Sequence, residues 1–181
     1  MKKNGFSSEI ALFGNVRVLA VSGLLTALSV ALAALAKAVF GSGPLRLTFE
    51  NLPIFIGGFA FGPAIAAVIA LCADLLSCLI NGMAPMPLIS VGAVLVGAVS
   101  GILYKYVLKK MNMKPRMIIS VSAAHIIGSM IVKTAVLYQW YGNVVYFRIP
   151  IYIGVIAVES ALLILLFGNR EFTAQLDKIN K

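Results

Sequence analysis

Charge is what this chain has least of: 12% of its residues are Asp, Glu, Lys or Arg, about half the usual share of roughly 25% in a water-soluble domain. Acid is scarcer still, with six Asp and Glu against fifteen Lys and Arg, beside one histidine and two cysteines. A soluble globular surface cannot be made from so few ionisable groups. Sulfur and imidazole are too sparse for a zinc or redox spacing. Cys72 and Cys78 are six positions apart, so on one helix they point to different faces and cannot pair with each other; the plain reading of both is packing. The signatures of several chemistries are missing as well. There is no G-x-x-x-x-G-K-[ST] phosphate loop and no H-E-x-x-H or G-x-S-x-G. No cofactor or metal is therefore expected, and any uphill movement of a solute has to be driven by another subunit or an ion gradient. Intramembrane enzymes can lack such motifs, so that reading stays open.

What the chain has in abundance is apolar surface, 61% hydrophobic residues with a mean hydropathy of +1.00. The hydrophobic character continues to about Phe167, where a signal peptide would show one short run and a cleavage site. The expectation is an all-α integral membrane protein. A helix needs about 20 apolar residues to cross a bilayer, and dividing the chain at Gly, Pro and charged positions predicts a compact bundle of six transmembrane helices in a single domain: 17–40, 47–61, 63–80, 87–108, 115–140 and 148–168. The second is short and is separated from the third by Gly62 alone, so the two form a tight hairpin or one bent unit. Pro63, Pro87 and Pro115 suit a first helical turn, where a missing N–H costs least.

The net charge of +9 reads as topology rather than as a nucleic-acid surface. Lys2, Lys3 and Arg17, then Lys105, Lys109, Lys110, Lys114 and Arg116, then Arg170, Lys178 and Lys181 all fall on one side of a six-crossing chain, which predicts cytoplasmic termini by the excess of Lys and Arg on inner loops. Lys37, Arg46, Lys133 and Arg148 lie toward the other side.

The helix faces differ in character. At about 100° per residue, Ala20, Gly23, Ala27, Ala31, Ala34 and Ala38 share one arc of the first helix. Small faces allow close helix approach, which drives association in lipid, either within the bundle or with a separate protein. The fifth helix carries a polar arc of Ser122, His125, Ser129, Lys133 and Trp140. A lysine inside a membrane segment costs ~2.5–3.5 kcal/mol on the lenient insertion scale and so faces a cavity or a partner. The third helix carries Ala66, Ala70, Ala73, Asp74, Ser77 and Asn81 on one face, and the sixth Arg148, Tyr152, Val155 and Glu159. Asp74, Asn81, Lys133, Trp140, Arg148 and Tyr152 gather in the outer half, with Arg46, Phe49, Glu50 and Asn51 of the first connector. Structural ion pairing is the alternative for this group. His125 and Glu159 sit deeper, where either can be paired structurally.

At these residues the chain resembles a family, the substrate-binding S components of bacterial energy-coupling factor vitamin transporters. The resemblance spans nearly the whole chain. It rests on the small-residue first helix (Gly23, Ala27, Ala31) and on "FGPAIAAVIALCADLL", which looks like the family's FGP turn followed by a third helix with a late aspartate. Within the family, "GPLRLTFENLPI" and "FRIPIYIGVIAVE" look most like the folate-specific members, while pantothenate and pyrimidine-precursor (hydroxymethylpyrimidine) members share much of the pattern. The third helix has Ala66, Ala67 and Ala70 where the family often has glycine. The resemblance implies a transmembrane coupling protein and two ATPases as partners in the bacterial cell membrane, no nucleic acid, vitamin capture from outside, and contact of the coupling protein with the Ala-rich face of the first helix.

Folate also makes chemical sense of the residues. It joins a flat ring with adjacent N–H donors to a tail with two carboxylates. Glu50 or Asp74 can accept from the ring, Trp140, Tyr141 or Phe49 can stack on it, and Arg46, Lys133 and Arg148 can meet the tail. On this reading the first connector is a lid that carries part of the binding site. Another small vitamin, a small membrane enzyme and an assembly factor are the competing expectations.

Overall fold

The computed structural model describes residues 11–41 and 48–179, and every regular element among them is helical. Helix α1 is Val16–Phe40, started by Asn15, whose side chain accepts from the Arg17 N–H. After the first connector come α2 (Leu52–Ala60), α3 (Pro63–Ile80) and α4 (Pro87–Ile102), the last running on into a π-helical turn at Leu103–Val107. The next rod is continuous: α5 (Met113–Ala124), a π-helical stretch His125–Lys133, and α6 (Thr134–Tyr141). Gly142, at φ 58°, opens the 3-10 turn Gly142–Phe147, and α7 (Arg148–Gly168) packs back against α5. A final helix, α8 (Arg170–Ile179), follows. Four helical stretches are long and apolar enough to cross a membrane, the last being the uninterrupted Met113–Gly168 that holds both the α5–α6 rod and α7. The chain is an all-α membrane bundle.

Helix α2 departs from the expected 47–61. Its nine residues reach only about 13 Å, too short to span a bilayer. Glu50 and Asn51 form a turn instead: the Thr48 hydroxyl accepts from the Glu50 N–H at 3.2 Å, and the Leu52 N–H donates to the Phe49 carbonyl. Such local bonds compete with the helical ladder. Every residue from Pro53 to Ala60 is buried, so α2 is a core peg and not a lipid-facing span. It turns sharply into α3 at Gly62, whose φ of 109° is open to glycine and strained for other residues.

Around that peg lies the main core. Phe59 stacks on Tyr104 with ring centroids 4.1 Å apart and meets Phe167 edge-on; Phe55, Phe61, Met117, Val121 and Leu163 are fully buried nearby. The alanines of α3 pack closely because the glycines are on α4: a Cβ on Gly97 would sit 2.5 Å from the Ala66 carbonyl oxygen, and one on Gly101 2.6 Å from the Pro63 Cα. Close backbone approach of this kind holds helices together in lipid. Helix α8 lies beyond the sequence expectation, which ended the helices at 168. It packs Phe172, Leu176 and Ile179 onto the core, and its last carbonyls are tied to α1 by the Asn15 side-chain amide, which donates to the Ile179 carbonyl at 3.1 Å. This end of the bundle also carries Arg17, the 105–116 connector and Arg170, and is called the basic end below.

Candidate functional site

The connector between α1 and α2 fixes where the functional site can be. The Ser29 hydroxyl donates to the Glu50 backbone carbonyl at 2.6 Å, so Glu50 lies level with the middle of α1, about 16 Å of helix below Phe40. Sequence reasoning makes this connector a lid; Thr48–Asn51 are instead a floor. From there away from the basic end, the space a full-length second helix would fill is a cavity of about 200 Å³.

Each wall follows from a face of one helix. Helix α1 presents Ser29, Ala33 and Lys37, and the floor presents Thr48, Glu50 and Asn51. The stripe on α3 supplies Ala70, Ala73, Asp74, Ser77 and Asn81, with Cys78 beside it; Met83 and Met86 come from the following connector and Ile89 and Ala93 from α4. The rod contributes Lys133, Leu137 and Tyr141, and α7 contributes Arg148 and Tyr152. Several of these groups are already oriented. Asp74 accepts from the Ser90 hydroxyl at 2.6 Å, Lys37 donates to Asn81 Oδ1 at 2.6 Å, and Arg148 Nη2 donates to the Tyr152 hydroxyl at 3.0 Å.

The charges are not balanced within the cavity. Lys37, Lys133 and Arg148 line it with Glu50 and Asp74, and among the described residues none of the three cations is ion-paired with a carboxylate. Two buried donors are also unmatched there, the Asn51 side-chain Nδ2 and Arg148 Nε. Buried donors left unmade are costly, and cations at membrane depth normally face a partner. The arrangement can hold a ligand that is anionic at one part and hydrogen-bonding at another.

Of the residues expected from sequence, Glu50, Asn51, Asp74, Asn81, Lys133, Tyr141, Arg148 and Tyr152 are brought together here. Arg46 lies outside the described residues. Phe49 is half-buried and does not line the cavity. Trp140 is turned away and 69% exposed, and the reason is in the helix type. A projection at 100° per residue assumes α geometry, whereas the π-helical stretch His125–Lys133 takes extra residues per turn. The inward face accordingly runs at every fourth residue, His125, Ser129, Lys133, Leu137 and Tyr141, and leaves Trp140 outside it. An exposed indole suits the membrane–water interface. Neither cysteine is a core packing residue as expected: Cys72 is exposed, and Cys78 lines the cavity.

Sequence reasoning missed Ser29, Lys37, Thr48, Cys78, Met83 and Met86 as lining residues. For α1 a signal existed, since Ser29, Ala33 and Lys37 repeat every fourth position opposite the small-residue arc. That arc, Ala20, Gly23, Ala27, Ala31, Ala34 and Ala38, is exposed throughout, and a Cβ on Gly23 would meet nothing within 4 Å. It does not pack within the bundle. Below the cavity, His125 Nε2 and Glu159 Oε2 are 2.6 Å apart and both fully buried, with the His125 ring against Phe55 and Tyr152.

The family model described as ECF transporter, substrate-specific component, matches residues 17–170. No curated protein and no solved structure matches the chain.

Proposed function

The chain belongs to the family of ECF transporter substrate-specific components, and on that premise we propose that its cavity binds a folate-type vitamin from outside the cell. A substrate-specific component is a transport subunit and not an enzyme; it works with a coupling protein and ATPases that supply the energy. One observation carries the choice of ligand: three cations that have no carboxylate partner among the described residues share a cavity with two carboxylates and an amide donor unmatched among them. Folate matches that pattern at both ends. Its ring offers adjacent N–H donors that a carboxylate accepts as a pair, and Glu50 at the floor is the acceptor best placed for it. Asn51 Nδ2 then supplies a donor to a ring acceptor. Tyr141 and Tyr152 give aromatic wall against the flat part of the ligand. Lys133 and Arg148 meet the tail, where charge-assisted bonds are the strong ones. The basic end faces the cytoplasm, so both termini are inside and the cavity opens outward.

The exposed small-residue arc of α1 is the docking face for the coupling protein. Ala27→Trp or Ala31→Trp, which hold a partner helix away, leave vitamin binding intact and abolish uptake in cells; normal uptake in both variants removes that assignment.

The ligand reading is tested by titrating the purified chain with a panel of B vitamins that includes folate and pantothenate, then comparing Glu50→Gln and Asp74→Asn on folate and on a pterin fragment without the glutamate tail. An amide in place of an acceptor-only carboxylate presents a donor to the ring's donors. Glu50→Gln is expected to lose both ligands. If both variants hold the fragment as the parent does, neither carboxylate reads the ring; preference for another vitamin in the panel overturns the folate assignment.

A further inference from the structure

The proposed site uses Lys133 and Arg148 for the ligand's anionic end and leaves a third cation unused. Lys37 lies in the last turn of α1, on a different wall from the other two, and its ammonium donates to Asn81 Oδ1 at 2.6 Å. Asn81 is held in that orientation by its own amide N–H, which donates to the Ser77 carbonyl. Its oxygen is thus fixed as an acceptor toward Lys37. A neutral amide takes one of the ammonium's three N–H donors without cancelling its charge. The C-terminal turn of a helix, where carbonyl ends are gathered, favours a cation.

Depth decides what that charge can reach. Ser29, bonded to the Glu50 carbonyl, marks the floor; Lys37, two helical turns further along the same face, lies about 12 Å above it. A ligand with its ring at Glu50 presents only the outermost part of its tail at this height.

We propose that Lys37 is a second anion subsite at the cavity mouth, taking the outer of two carboxylates while Lys133 and Arg148 take the inner one. The ligand class is then a dicarboxylate-tailed molecule, and the proposal rests on the folate-type reading above. On binding, the carboxylate takes over the ammonium N–H now given to Asn81, exchanging a neutral acceptor for a charged one, which forms the stronger bond. Asn81 remains held by Ser77. The competing role for Lys37 is a clasp that merely ties α1 to α3 through Asn81.

Titration of the purified full-length chain with folate and with pteroate, which has the same ring but one carboxylate and no glutamate, separates the two roles. The parent is expected to prefer folate at least tenfold. Lys37→Gln brings folate down to the pteroate level and leaves pteroate unchanged, so pteroate binding doubles as the check that the variant is folded; Lys37→Met, which keeps the apolar stem, does the same. Lys37→Arg and Asn81→Ala keep the preference. Equal weakening of both ligands in the Lys37 and Asn81 variants identifies a clasp and overturns the proposal, as does a parent that binds folate and pteroate equally, and in those two cases the folate reading stands. A parent that binds neither ligand overturns both.

Discussion

Toward the basic end, α1, α3, α4, α5 and α7 close around the nine residues of α2; toward the other end the same bundle, without α2, closes around a cavity. The filled half is lined by Phe55, Phe59, Phe61, Met117 and Phe167, and the buried His125 Nε2 and Glu159 Oε2 face each other there at 2.6 Å. Among the described residues, the hollow half keeps Lys37, Lys133 and Arg148 without carboxylate partners. The contrast separates stability from function along one helix axis. Where the peg fills the bundle, apolar side chains pack around it, and where the peg stops, the helices present three cations to a cavity.

The largest effect is expected from removing the contrast itself. Ala73 is buried and faces the cavity from α3; Ala73→Trp fills the hollow half with an indole, and vitamin binding is lost while the thermal transition of the purified protein stays near the parent's. Next comes emptying the filled half. Phe59→Ala removes a ring packed against Tyr104 and Phe167, and large-to-small changes of this kind cost about 3–5 kcal/mol of stability. Folded Phe59→Ala protein still binds at the parent's affinity, so its deficit appears in thermal unfolding and not in the titration. A smaller effect, within the hollow half, is expected from Arg148→Ala or Lys133→Ala, each raising the dissociation constant for folate by the equivalent of about 1.5–3 kcal/mol for a charge-assisted bond. Unchanged affinity in both, with folding intact, removes the anion site from the hollow half.

The hollow half was partly legible from sequence because charge inside an apolar chain is conspicuous. The α3 stripe from Ala70 to Asn81 and the α7 face of Arg148 and Tyr152 follow from ordinary helical periodicity, and each lines the cavity as one strip. What periodicity could not give was depth. Glu50 reads as a surface connector until the Ser29 bond puts it midway down α1, because a chain that re-enters the bundle and one that loops over it have the same composition. Trp140 was misplaced for a different reason: π winding changes the residues per turn without leaving a mark in hydropathy. Lys37 reads from sequence only as a charge toward the outer side, since its significance lies in Asn81, forty-four positions away. Helix α8 carried a signal, Phe172, Leu176 and Ile179 at helical spacing, masked by the charged residues around it.

Cys78 offers the most direct view of whether the hollow half is where the vitamin sits, because it lines the cavity while Cys72 on the same helix is exposed on the bundle's exterior. The measurement is the rate at which a charged, water-soluble thiol reagent labels Cys78 in a Cys72→Ser background, with and without saturating folate. Labelling slowed several-fold by folate, and unaffected by folate in the Ala73→Trp variant, is the predicted result. A Cys78 rate that folate leaves unchanged, in protein shown by titration to have bound it, would contradict the assignment of the cavity as the binding site.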